Sequence, residues 1–139
     1  MHLYSYILNK RVYMNDNLQL NIDSMDTKHD EFLDILSKIQ SCKDNEFMKL
    51  FKEMINHTKE HFAYEEEIMN KHKFYAKQEH LEEHENLLGE MEYFYNKAKK
   101  LPAFGKSYIN DYAYDKFKRH IINIDSQLAM FLKEKNISI

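Results

Sequence analysis

Apolar side chains recur at intervals of three and four along most of this chain, the spacing that lines one face of an α-helix. Four segments carry the pattern. The first is predicted from about Ser24 to Ser41, with Met25, His29, Phe32, Leu36 and Ile39 on one stripe and Asp23 or Ser24 as N-cap. The second runs from near Asp44 to Lys71, with Phe47, Leu50, Met54, Thr58, His61, Glu65 and Ile68 in line. The third covers about Ala76 to Lys100, with His80, His84, Leu87, Met91, Phe94 and Ala98 inward. The fourth spans about Ser107 to Lys135, with Ile109, Ala113, Phe117, His120, Ile124, Leu128 and Phe131 inward. The links SCKDN, KFY and LPAFGK are short, and the last holds Pro102 and Gly105. Short links between long helices favour antiparallel neighbours. The expected architecture is therefore all-α: an up-down-up-down antiparallel four-helix bundle over residues 23–139, preceded by an N-terminal arm over 1–22.

Composition supports one helical domain. Only two glycines and one proline occur in 139 residues, so little interrupts a helix, and Gly89 inside the third segment reads as a tolerated glycine. No repeat or interdomain linker divides the chain. The net charge of -3, with basic residues spread evenly, leaves no footprint for nucleic acid. The lone Cys42 excludes an internal disulfide, an iron–sulfur cluster and a zinc knuckle. No stretch approaches the roughly 20 apolar residues that span a bilayer. The opening MHLYSYILNKRV puts its apolar run before its charges, the reverse of a secretory signal. A soluble, cytoplasmic monomer is expected.

The stripes are not wholly apolar, and that changes the picture. Each carries histidine or carboxylate where a hydrophobic residue belongs: His29 on the first, His61 and Glu65 on the second, His80 and His84 on the third, His120 on the fourth. Residues four apart lie one turn along the same face, so each pair can meet one ion or reach two adjacent ones. Taken singly, a histidine on an apolar stripe is more often a hydrogen-bonded core residue, and an HxxxH or HxxxE pair is a weak signal. Taken together, five imidazoles in a dry interior would strand polar nitrogens at a cost that a metal centre removes. Imidazole and carboxylate suit iron, zinc and manganese alike.

The motifs D-x-K-H (Asp26 to His29), H-F-x-x-E-E (His61 to Glu66), H-x-x-x-H (His80 to His84) and H-x-x-x-x-D (His120 to Asp125) resemble those of hemerythrins, most nearly the bacterial single-domain branch. The likeness covers essentially the whole chain. It implies two irons joined by an oxide or hydroxide. His80, His84 and His120 would bind one, His29 and His61 the other, and Glu65 and Asp125 would bridge them. That set leaves one of about twelve octahedral positions open, on the iron with two histidines. The implied function is reversible dioxygen binding for storage, delivery or scavenging. Some of Phe32, Phe62 and Phe117, each near a histidine of the set, are expected to line the gas pocket, and each reads equally as an ordinary core aromatic.

His120 and Asp125 are five apart, about 140° out of phase on an α-helix, so a π-type turn or a bent helix between them is predicted. The chain departs from the family in two places. It lacks the usual tryptophan before the first helix, where Met14 stands, and it has Asn21 where glycine is common. His2, His57 and His72 fall outside the pattern, with His57 expected at the rim or surface. Glu66, Glu67, Glu82, Glu83 and Glu85 read as a solvated face, and Cys42 has no assigned role. Two other functions compete: a di-iron oxidase or peroxidase, and a sensor acting through a separate partner. Carboxylate-rich di-iron enzymes place Glu-x-x-His on two helices. That motif is absent here, which favours a binder over an enzyme.

Overall fold

A computed structural model describes residues 17–139. Residues 1–16, and with them Met14, His2 and most of the expected arm, lie outside the described residues. Four helices account for nearly everything else, and no strand occurs among the described residues. Helix α1 is Asp23–Ser41, α2 is Asp44–His72 and α3 is Lys77–Lys100. Helix α4 is continuous through five segments: Pro102–Ser107, a π-helical Tyr108–Tyr112, Ala113–His120, a second π-helical stretch Ile121–Asp125, and Ser126–Glu134.

The ends follow local chemistry. Ile22, not Asp23 or Ser24, is the N-cap of α1, and it makes no side-chain cap bond. Asp26 closes the entry instead, its carboxylate accepting the backbone N–H groups of Leu20 at 2.8 Å and Asn21 at 3.0 Å. This gives the aspartate of D-x-K-H a structural role. Asn21 has φ 62°, a left-handed conformation that glycine adopts freely and asparagine tolerates, so the substitution at this site keeps the turn. Helix α2 ends on Lys73 at φ 54°, with the Phe74 N–H reaching back to the Met69 carbonyl at 3.1 Å.

The fourth helix begins at Pro102, ahead of the expected Ser107. Proline at a first helical position forfeits only an N–H that has no helical partner there. Gly105 then allows α4 to press on its neighbours. A Cβ at this position would lie 2.5 Å from the Ala98 Cβ and 3.1 Å from the Phe47 ring. Gly89 is the opposite case, since a Cβ there would meet nothing within 4 Å.

Helix α1 packs on α2, α2 on α3, and α3 on the first segment of α4, while the Tyr108–His120 part of α4 returns to α1. The core is layered. One apolar cluster holds Phe32, Leu36, Phe51, Met54, Met91, Tyr108 and Phe117. A second holds Met25, Ile68, Met69, Phe74, Leu128 and Leu132. Along the helices, the buried side chains between them include His29, His61, Glu65, His80, His84, His120 and Asp125. The order in which the chain meets these layers reverses from each helix to the next: Met25 before Phe32 on α1, Met54 before Ile68 on α2, and so on. Most of the expected stripe faces inward, but Leu50, Phe94 and Phe131 are only half-buried, and Phe51 and Leu132 are the fully buried neighbours on the second and fourth helices.

Candidate metal centre

The polar layer is built from three local devices. On α2 and α3, ordinary α-helical geometry aligns His61 with Glu65 and His80 with His84, one turn apart. On α1, the bond from Asp26 to the entry backbone fixes the first turn, and His29 follows it inward. On α4, the π segment Ile121–Asp125 does what a regular helix would not. Its i to i+5 pattern absorbs the extra residue, so His120 and Asp125 are both buried, at 4% and 0% exposure. The other π segment, Tyr108–Tyr112, has no comparable sequence signal because no charged pair marks its phase.

All seven residues singled out in the sequence come together. Two donor groups overlap: Glu65, His80, His84, His120 and Asp125 form one, and His29, His61, Glu65 and Asp125 form the other. Within each, the donor atoms lie within 4.8 Å of one another. The imidazoles all present Nε2 to the centre. Asp125 Oδ2 faces His29 at 2.8 Å, while its Oδ1 faces His80 at 3.2 Å and His120 at 3.0 Å. Glu65 repeats the division, with Oε2 on His61 at 3.1 Å and Oε1 on His80 and His84, both at 3.1 Å. Each carboxylate thus gives one oxygen to each group.

The electrostatics keep these carboxylates charged. Burial pushes Glu65 up and Asp125 adds to that, but contacts from His61, His80 and His84 outweigh both and hold it below the usual carboxylate range. Burial likewise pushes Asp125 up, and the charge and contacts of His120, helped by His29 and His80, hold it well below. His80 is disfavoured as a cation by burial, yet Asp125 and Glu65 raise it to about 9. His84 is pushed down, chiefly by burial, against the pull of Glu65.

A cation fits this donor set. His61 Nε2 and Glu65 Oε2 face each other at 3.1 Å, as do His120 Nε2 and Asp125 Oδ1 at 3.0 Å, yet all four buried atoms lack a partner with hydrogen-bond geometry. Protein interiors rarely leave such atoms unpaired, because each forfeits its hydration. Two carboxylates and five imidazoles are donors that suit an imidazole- and carboxylate-binding metal.

Beside the layer lies an apolar cavity of about 20 Å³, enough for the centre of one small molecule. Phe32, Phe62 and Phe117 line it together with His61 and His120. Phe117 stacks on Phe32 at 4.1 Å and sets its edge to His29 at 5.6 Å.

The other histidines stay out of the layer. His57 lines the cavity rim, with Nε2 3.4 Å from the Lys28 carbonyl and Nδ1 3.7 Å from Glu31. His72 sits at the end of α2, and Cys42 donates to the Ile39 carbonyl at 3.3 Å. Glu66 was expected on a solvated face, but its Oε1 lies 3.4 Å from His84 Nδ1. Its helix phase alone did not show this, since the contact depends on how closely α3 approaches α2. No helix among the described residues is long and apolar enough to cross a membrane.

No curated protein and no solved structure matches the chain. The family model described as hemerythrin HHE cation binding domain matches residues 20–132. That span takes in all seven donors and most of the four helices, and the chain belongs to the hemerythrin HHE cation-binding domain family.

Proposed function

We propose that this chain binds dioxygen reversibly at a pair of non-haem irons, for storage, delivery or scavenging, and is a binder rather than an enzyme. The reversing order of the apolar layers supports an up-down-up-down bundle around the pair. The observation that carries the proposal is the division of the carboxylate oxygens between two donor groups. His80, His84 and His120 would hold one iron, His29 and His61 the other, with Glu65 and Asp125 bridging. When bound, the iron pair supplies electrons that dioxygen takes up and gives back.

The chain's own residues do the rest. The two ionised carboxylates would offset the positive charge of the metals. The phenyl rings of Phe32, Phe62 and Phe117 keep the cavity beside His61 apolar, which admits a small neutral gas and discourages water. The Thr58 hydroxyl, one turn before His61, is already donated to the Met54 carbonyl at 2.8 Å. It is therefore not poised to deliver a proton, as oxygen cleavage would require. The lone thiol suits a reducing compartment, so we place the protein in the cytoplasm.

The test is to load the purified chain with ferrous iron under anaerobic conditions, count the metal, then add and remove dioxygen while recording the visible spectrum. About two irons per chain, with absorption that appears with dioxygen and disappears on its removal, is the expected result. Irreversible bleaching or steady turnover with a reductant would assign the site to an enzyme. Uptake of zinc or manganese in preference to iron would overturn the choice of metal.

A further inference from the structure

His84 differs from the other four imidazoles of the layer. The outward nitrogens of His29, His61, His80 and His120 are buried without a protein partner, whereas His84 Nδ1 lies 3.4 Å from Glu66 Oε1. The His84 ring also lies flat on Phe62, centroids 3.7 Å apart and planes within 5°. Stacking fixes the plane of an imidazole but not which edge faces which way, because a half-turn about the ring bond preserves the stack. That half-turn would exchange Nε2 for a carbon at the centre of the layer. A carboxylate at the outer edge removes the ambiguity, since only a nitrogen bearing hydrogen can meet it.

The proton count agrees. A neutral imidazole has one N–H, and His84 faces two carboxylates, Glu65 at Nε2 (3.1 Å) and Glu66 at Nδ1. With a metal on Nε2, the remaining hydrogen belongs on Nδ1, directed at Glu66. Metal-bound histidines elsewhere commonly donate their second nitrogen to a carboxylate, which fixes the tautomer and strengthens the ligand.

We infer that Glu66 is a positioning residue for the metal centre, orienting His84 and making it the strongest of the imidazole donors. This rests on the proposed metal site and adds an asymmetry to it: the three-histidine position carries an anion-backed ligand and the two-histidine position does not. Glu66 is half-exposed, so its replacement leaves the core intact.

The test uses cobalt(II) as a paramagnetic probe in the full chain, comparing wild type, Glu66→Ala, Glu66→Gln and the exposed neighbour Glu67→Ala. Metal affinity is read by competition with a chelator, and the shifted, exchangeable imidazole N–H resonances are read by NMR. Glu66→Ala should weaken cobalt affinity roughly tenfold or more and move or broaden one N–H resonance by faster exchange with solvent. Glu66→Gln retains an acceptor oxygen and should largely restore that resonance while recovering only part of the affinity. Glu67→Ala should match wild type. If Glu66→Ala keeps wild-type affinity and an unchanged N–H spectrum while wild type binds cobalt, the inference fails and the metal site stands. If wild type binds no cobalt, both fall together.

Discussion

Tyr108 is 1% exposed, with its ring stacked on Phe94 at 4.8 Å and on Phe51 at 6.1 Å. Burial, with Glu90 nearby, pushes its phenol above the ordinary tyrosine range. The folded chain therefore keeps this proton where the unfolded chain releases it, near pH 10. Stability is intact below about pH 10 and is lost as pH rises from there through the folded value. Tyr108→Phe keeps the stacked ring and removes the ionisation. The urea midpoint of the variant should fall less than that of wild type above about pH 10, measured on both proteins across the alkaline range. The two glycines separate equally clearly. Gly89→Ala, in an open stretch of α3, should raise stability by about 0.5–1 kcal/mol through helix propensity. Gly105→Ala should lower it by about 1–3 kcal/mol by overpacking against Ala98 and Phe47, both measured by chemical denaturation.

At the scale of elements, the π turn in α4 sets the phase of the layer. A π turn amounts to one extra residue in an α-helix, so removing a residue there should restore regular geometry with His120 and Asp125 still aligned. Deleting the exposed Ile122 should leave helix content and metal per chain close to wild type. Inserting one alanine at the same point should turn Asp125 out of the layer by about 100° and abolish metal uptake, counted by elemental analysis. This turn was legible in the sequence because its two ends carry chemistry with a known phase, five residues apart. The pairs on α2 and α3 were legible for the same reason, each lying within a single helix. The start of α4 was not, because Pro102 and Gly105 look like a loop until one sees that proline is harmless in a first turn and that Gly105 is a packing contact. Glu66 was hidden for a different reason. Its partner is on another helix, and an interhelical distance of 3.4 Å has no periodic signature.

For the molecule as a whole, two carboxylates and five imidazoles in the interior are a burden on folding that metal would lift. A cation that binds the folded chain alone stabilises it by mass action, about 2.7 kcal/mol at a hundredfold excess over Kd. The melting temperature should therefore rise on loading and fall again with a chelator, followed by circular dichroism on the same sample. The layered core allows this without loss of the fold, since apolar clusters on both sides of the polar layer hold the helices together.

Because Glu65 and Asp125 each span both donor groups, neither group is complete without carboxylates that the other also uses. The first ion to arrive would quiet the repulsion between the two anions and hold their free oxygens in place for the second. Titration with metal should then show positive cooperativity, passing from empty chains to filled pairs with few singly occupied molecules between.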